Sequence, residues 1–224
     1  MEALEDGVQP LDQDTISTLR DQTRRLARFS VDVNALSVAE RRTTAIDARW
    51  ISPQALMSTA IAAFAPRYKA NGVDLTSSVA EDLPRLWADP ERLGQVLGNL
   101  LDNALRHTDP GGRVSVTASV ADDELAIAIS DTGVGVAPEH LPRLFDRFYR
   151  ADAARDRQHG GAGIGLSIAK ALVEAHDGHI EAHSDGHGTG CTFSVTLPLR
   201  NAAARMPRHT DSDLGRTAAT RAHG

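Results

Sequence analysis

Three segments of the sequence alternate between apolar and polar residues and are rich in β-branched side chains, the pattern of half-buried β-strands. These segments are 114–120, 124–130 and 192–199, and the short Ala-Asp-Asp sequence that joins the first two is a hairpin signal. Helical patterns cover about 53–70, 89–107, 138–150 and 163–176. Strands and helices in this arrangement predict an α+β fold, a two-layer α/β sandwich with a mixed sheet and helices on one face.

The two ends of the chain have different patterns from the middle. Leu19, Leu26 and Val33 repeat every seven residues, which indicates a helical hairpin or coiled coil. The last 24 residues lack periodicity and large apolar side chains, so we expect a disordered tail. We therefore expect three regions, which are a partial helical hairpin at 1–48, a globular domain at 49–200 and the tail at 201–224.

Composition excludes several classes of function. The formal net charge of −6 gives no electrostatic support to nucleic-acid binding. The single cysteine, Cys191, excludes a disulfide framework and a cysteine metal cage, and we expect it to be a small buried apolar residue. The longest apolar stretch, 55–65, is too short to cross a bilayer, and no signal peptide opens the chain. We expect a cytoplasmic protein.

The sequence "HGGAGIGLSIAK" at 159–170 is a glycine-rich loop that leads into a helical pattern, an arrangement that often binds phosphate. It is not a P-loop, because Leu166 stands where that motif requires lysine. It is not a Rossmann turn either, because Gly161, Gly163 and Gly165 follow a charged segment instead of a strand. A flexible loop before a helix remains the alternative.

The helical pattern at 89–107 carries a polar stripe beside its apolar face. The apolar residues that we expect to be buried are Leu93, Val96, Leu97, Leu100, Leu101, Ala104 and Leu105. Gln95, Asn99, Asn103 and Arg106 are spaced by four, four and three residues, which places them on one side of a helix. Asn103 offers a neutral oxygen of the kind that Mg²⁺ accepts together with water and substrate phosphates, and Arg106 can reach a phosphate. A solvated amphipathic helix is the alternative interpretation.

The sequence "ISDTGVGVAPEH" at 129–140 ends a predicted strand at Asp131. A carboxylate there can accept a hydrogen bond from an exocyclic amine, and Gly133 and Gly135 allow a flat base to approach the backbone. The alternative is a strand-to-helix turn with a capping aspartate. Phe145, Phe148 and Tyr149 follow in a predicted short helix, where we expect them to anchor the segment to the core.

In this order and spacing, the segments over about 50–200 resemble the ATP-binding domain of sensor histidine kinases, which belongs to the superfamily of the Hsp90, gyrase B and MutL ATPases. "NLLDNALRHT" is similar to the N box, "DTGVG" to the first glycine box, "LFDRFYR" to the F box and "GGAGIGLSIAK" to the second glycine box. "HDGHIEAHS" and "GHGTGCTFSVTLP" resemble the closing hairpin. The resemblance implies a Bergerat-type fold, ATP and Mg²⁺ as cofactors, and protein histidine kinase activity.

The resemblance also implies individual roles. It assigns catalysis to three residues of the N box, with Mg²⁺ on the second of them: Asn99, Asn103 and Arg106. It assigns ATP binding to a set that includes the adenine acceptor Asp131, a lid arginine and the glycines of both boxes: His107, Asp131, Gly133, Gly135, Arg150, Gly161, Gly163, Gly165 and Leu166. The stretch 138–160 would be the ATP lid.

The acceptor histidine that such a kinase requires has no counterpart in this sequence. In the family it is followed by Glu or Asp and then by Arg and Pro, whereas all nine histidines here lie at or beyond His107 and none has that context. His176, His179, His183 and His187 could also suggest a metal site, but the first two match the helix-end turn of the family.

We therefore expect a chain that donates the γ-phosphoryl group to a histidine on a separate helical-hairpin partner, with a response regulator downstream and a possible dimer through 1–48. A truncated gene product and one half of a split kinase both remain open. The alternatives are a nucleotide-binding regulatory module without phosphotransfer, an ATP-hydrolysing relative, or a serine kinase of the anti-sigma type.

Overall fold

A computed structural model describes residues 46–80, 82–151 and 163–199. The predicted hairpin at 1–48 lies almost wholly outside these residues, and the predicted tail at 201–224 and Gly161 lie entirely outside them. The helices are α1 (Pro53–Ala70), α2 (Pro90–His107) and α3 (Gly165–Ala175). The strands are β1 (Arg49–Ile51), β2 (Asp74–Val79), β3 (Leu86–Ala88), β4 (Arg113–Ala121), β5 (Glu124–Asp131), β6 (His179–His183) and β7 (Thr192–Pro198).

The main sheet has five strands in the order β2-β4-β5-β7-β6, and a separate two-stranded sheet pairs β1 with β3. The β2–β4 pair is parallel and the other pairs are antiparallel, so the sheet is mixed as predicted. Along β5 the side chains alternate between buried and half-buried positions, and β7 repeats this alternation. One face of the sheet therefore supplies the core on which the helices lie, and the predicted α+β sandwich is confirmed.

Helix α2 lies at the centre of this core. Its N-cap, Asp89, accepts hydrogen bonds from the backbone N–H groups of Glu91 and Arg92. Pro90 occupies the first turn, where a backbone N–H has no partner within the helix, so the N–H that proline lacks is not needed. The buried side chains are those predicted from the sequence: Leu93, Val96, Leu97, Leu100, Leu101, Ala104 and Leu105.

Two buried polar side chains connect the helices. The Tyr68 hydroxyl of α1 donates to the Leu101 carbonyl of α2 over 2.8 Å, and burial, with a smaller effect from Asp131 and Asp102, raises the pKa of Tyr68. At the end of α3, His176 Nδ1 lies 2.7 Å from the Leu172 carbonyl, and its Nε2 accepts the backbone N–H of Asp89 over 3.1 Å. Since a carbonyl requires a donor, His176 carries its proton on Nδ1 and joins the end of α3 to the start of α2.

The predicted helix at 138–150 is wrong. Only a 3₁₀ turn, Leu141–Arg143, forms in this segment. Proline at 138 and at 142 disfavours helical backbone at the residue before each, and Phe148 has a left-handed φ of 61°, which a helix does not allow.

The expectation for the aromatic anchors is confirmed for one of them. The Phe145 ring packs edge to face against the ring of the core residue Phe193, with the two ring centroids 6.3 Å apart, but the Phe148 side chain is 57% exposed. Tyr149 is half-buried, and its hydroxyl lies 2.7 Å from Nδ1 of His140.

None of the helices within the described ranges combines the length and the apolar character that a membrane span requires.

Candidate functional site

Asp131 lies at the end of β5 and is only 8% exposed. Its Oδ1 accepts the backbone N–H of Gly133 over 2.9 Å and that of Cys191 over 3.2 Å. Burial raises the pKa of Asp131, and these two hydrogen bonds lower it in part. Its Oδ2 accepts no hydrogen bond from the residues that the structure describes, so one oxygen of a fixed carboxylate remains available as an acceptor.

The turn after Asp131 lies against the end of α2. The Val134 N–H donates to the His107 carbonyl over 3.1 Å, and a Cβ on Gly133 would stand 2.1 Å from that same oxygen. Because real Cβ contacts are never that short, position 133 requires glycine for a steric reason. The His107 side chain, predicted to lie beside the nucleotide, is half-buried in the last turn of α2.

The loop between β6 and β7 holds the same turn from the other side. The Ser184 hydroxyl donates to the Gly190 carbonyl over 2.6 Å and accepts the Val136 N–H over 3.0 Å. Gly135 and Gly190 both have positive φ. A Cβ on Gly135 would lie 1.9 Å from the Gly186 carbonyl oxygen, and a Cβ on Gly190 would lie 1.9 Å from the Asp131 carbonyl oxygen.

Sequence reasoning attached no site role to Ser184 or Gly190. The run of glycines at 186, 188 and 190 is the signal that indicates a tightly packed loop there. Cys191 at its end is buried as predicted, and burial together with the nearby Asp131 raises its pKa to about 12, so the thiol stays protonated.

At the other end of the candidate site, Asn99 contacts the start of α3. Its Nδ2 donates to the Gly165 carbonyl over 3.0 Å, which joins the predicted N box to the second glycine box. Among the residues that the structure describes, no side chain caps the N-terminus of α3, so its first backbone N–H groups are available to an anion. Leu166, in the first turn of α3, is half-buried and packs against the core.

One turn after Asn99, the half-buried Asn103 side chain makes no hydrogen bond with any described residue. A single neutral amide oxygen is a ligand that suits Mg²⁺, which takes its remaining ligands from water and phosphates. Within the described ranges no group of three or more His, Cys, Asp and Glu side chains could hold a metal ion by itself.

The structure places Arg106 in an ion pair that the sequence did not indicate. Its Nη2 pairs with Oδ2 of Asp102 on the same helix, and Oδ1 of Asp102 pairs with Nη2 of Arg67 on α1 at 2.6 Å. The contact of Arg106 with phosphate stays a prediction.

Of the predicted lid at 138–160, the structure describes residues 138–151. The Phe148 N–H donates to the Gly163 carbonyl over 2.9 Å, so the chain before residue 152 and the chain after residue 162 meet at one point. Gly163 has a φ of 70°, and a Cβ there would lie 3.1 Å from the Phe148 backbone. Arg150, the predicted lid arginine, is half-buried and follows Phe148 closely in the sequence.

A family model and known histidine kinases match this chain. Residues 88–201 match the family model described as histidine kinase-, DNA gyrase B-, and HSP90-like ATPase. The signal transduction histidine-protein kinase BaeS of Escherichia coli K12 is 34% identical over 199 residues, which cover 89% of this chain and 42% of BaeS. The chain thus spans less than half the length of that relative.

Two solved structures have the same fold. The histidine kinase AdeS of Acinetobacter baumannii superposes with a TM-score of 0.73 and 23% identity, covering 89% of this chain and 91% of the AdeS chain. Full-length ShkA, solved in complex with AMPPNP, superposes with a TM-score of 0.69 and 27% identity, covering 85% of this chain and 40% of ShkA.

Proposed function

Because this chain belongs to the histidine kinase-, DNA gyrase B- and HSP90-like ATPase family, as the ATP-binding catalytic domain of a sensor histidine kinase, we propose that it binds ATP with Mg²⁺ and donates the γ-phosphoryl group to a histidine in two-component signalling. The observation that carries the proposal is the hydrogen bond from Asn99 to Gly165, which holds a polar helix face against an uncapped helix N-terminus.

The adenine end of the site is Asp131. Its Oδ1 is held by two backbone N–H groups, so its Oδ2 has a fixed position and accepts the exocyclic amine of adenine. Gly133 allows the base to approach the backbone. This arrangement selects adenine over guanine, because guanine presents an acceptor at the corresponding position.

The phosphate end is formed by α2 and α3. The backbone N–H groups at the N-terminus of α3 bind the triphosphate, and Arg106 adds a positive charge. Asn103 would hold Mg²⁺, which when bound neutralises charge on the transferring phosphoryl group. The lid, which contains Arg150 and precedes Gly163, would close over the phosphates, where exclusion of water prevents hydrolysis.

In this proposal the acceptor is a histidine on a helical hairpin outside residues 1–224, because none of the nine histidines of this sequence has the acceptor context. His176 is committed to hydrogen bonds inside the fold and is buried. The hairpin partner would pair with the segment 1–48, in whose sequence Leu19, Leu26 and Val33 recur every seven residues, and pass the phosphoryl group on to a response regulator. BaeS, which is named as a signal transduction histidine-protein kinase, supports a role in two-component signalling.

The test is a transfer assay with ATP labelled at the γ-phosphate. The chain is mixed with Mg²⁺ and a separate helical-hairpin protein that carries a histidine in an H-E-x-R-x-P context. We expect label on the partner that is lost in acid and stable in base, and no label on this chain. Asn103→Ala is expected to abolish transfer, whereas Gln95→Ala, which removes a half-buried amide from the same helix, is expected to retain it.

Three outcomes would contradict the proposal. Acid-labile label on this chain itself would place the acceptor here. Base-labile phosphoserine on the partner would indicate a serine kinase. Nucleotide binding without label on any histidine-bearing hairpin would indicate a regulatory module.

A further inference from the structure

Asp102 lies between two guanidinium groups from different helices. Oδ1 contacts Nη2 of Arg67 on α1 at 2.6 Å, and Oδ2 contacts Nη2 of Arg106 on α2. The side chains of Arg67, Asp102 and Arg106 are 53%, 30% and 23% exposed, so Arg106 is the least solvated of the three. The cluster contains two positive charges and one negative charge.

Resting on the proposed function, we propose that Asp102 and Arg67 are positioning residues for the nucleotide phosphates. Asp102 holds the Arg106 side chain on the face of α2 that carries Asn99 and Asn103. When Arg106 turns to the phosphates, Arg67 keeps Asp102 neutralised. Without Arg67, release of Arg106 would leave an unpaired carboxylate beside a polyanion, which is electrostatically unfavourable.

The position of Arg67 is itself fixed by the fold. Its guanidinium carbon lies 5.0 Å from the centre of the Phe64 ring, one turn earlier on α1, in a cation–π arrangement. The Phe64 ring is partly buried against the core and lies 3.8 Å from the position that a Cβ on Gly98 would take. The second partner of Asp102 is therefore held against α2 independently of Arg106.

The inference predicts an effect that depends on phosphate. We expect Arg67→Gln to weaken AMPPNP binding by roughly three- to tenfold, which lies in the lower part of the range for coupled neighbouring residues, and to change adenosine binding by less than about twofold. Arg67→Lys keeps the charge and is expected to restore most of the AMPPNP affinity.

A matched control is available at the opposite end of α2. Arg85 is exposed and lies just before β3, the strand that leads into the N-terminus of α2. Arg106 lies in the last turn of α2, and the helix is about 27 Å long. Arg85→Gln changes the net charge equally and is expected to leave AMPPNP and adenosine binding unchanged.

A double-mutant cycle with Asp102→Asn tests the mechanism, with both ligands titrated calorimetrically in the presence of Mg²⁺. Once Asp102 is neutral, Arg67→Gln should change AMPPNP affinity by less than about twofold. The inference is overturned if Arg67→Gln weakens AMPPNP and adenosine equally, if its effect persists beside Asp102→Asn, or if Arg85→Gln reproduces it.

The single variants Arg67→Gln and Arg67→Lys carry the test if Asp102→Asn does not fold. A wild-type chain that binds no AMPPNP would refute the proposed function itself. A wild-type chain that binds AMPPNP, with equal responses from Arg67→Gln and Arg85→Gln, would refute this inference alone.

Discussion

Asp131→Asn is expected to remove the preference for adenine while leaving the protein folded. In the wild type, two backbone N–H groups fix Oδ1 of Asp131, and we propose that Oδ2 accepts the amine of adenine. An asparagine must turn its single carbonyl oxygen toward the same two N–H groups, so its NH₂ group replaces Oδ2. The variant thus presents a donor to the amine of adenine, which is also a donor.

The size of the effect follows from one lost hydrogen bond to a charged group. Such bonds contribute about 1.5–3 kcal/mol, which corresponds to a loss of affinity for AMPPNP of roughly 10- to 150-fold. The new NH₂ group faces the guanine O6 acceptor, so we expect the ratio of ATP to GTP affinity to fall by at least a similar factor.

The stability of the variant separates this effect from unfolding. Because burial raises the pKa of Asp131, the ionised form is disfavoured in the folded state, and the contribution of this group to stability declines as the pH rises through its folded-state pKa. A neutral amide avoids that cost. We therefore expect the melting temperature of ligand-free Asp131→Asn at pH 7 to equal or exceed that of the wild type.

The assay is calorimetric titration of both proteins with AMPPNP and with a non-hydrolysable GTP analogue, with a thermal melt of each protein. An AMPPNP affinity within about threefold of the wild type would refute the reasoning, as would a parallel loss of both nucleotides. A lower melting temperature would show that Asp131 has a structural role instead.

Three further predictions concern the groups that hold the site. Gly190→Ala should destabilise the fold by at least about 2 kcal/mol in urea unfolding, because its Cβ would stand 1.9 Å from the Asp131 carbonyl oxygen, whereas Gly188→Ala, with nothing within 4 Å, should cost only the backbone strain of about 1 kcal/mol. Equal losses would refute the steric argument. His176→Phe should cost about 1–3 kcal/mol in the same measurement, because it leaves the buried Asp89 N–H without its acceptor, and a loss below 0.5 kcal/mol, on the order of a surface substitution, would contradict this. Ser184→Ala should weaken AMPPNP binding by roughly three- to tenfold through loss of a hydrogen bond of about 1 kcal/mol that supports the turn after Asp131, and an unchanged affinity would show that the turn holds without it.

The spacing of apolar residues predicted the helices and strands that bury one regular face. The apolar residues of α2 recur at helical spacing, so all seven buried positions follow from the sequence, and the alternation in β4, β5 and β7 gives their bounds to within about one residue. The segment 138–150 has similar apolar spacing, but its two prolines and the left-handed Phe148 override it.

The contacts that join distant segments were not predictable from local pattern. Asp102 reads as an ordinary surface acid of α2, and only the packing of α1 beside it brings Arg67 into reach. His176 and Asp89 are 87 residues apart and meet because α3 ends where α2 begins. The candidate site residues were predicted from residue type and from the resemblance to a family, whereas the side chains that hold them in place depend on tertiary structure.

A crystal structure of this chain with AMPPNP and Mg²⁺ tests the account most directly. We expect one nucleotide, with its exocyclic amine about 3 Å from Oδ2 of Asp131, the metal on the amide oxygen of Asn103, and the phosphates at the N-terminus of α3. Arg106 should have left Asp102 for the phosphates while Arg67 remains on Asp102. A nucleotide bound away from Asp131, or a metal held without Asn103, would contradict the account.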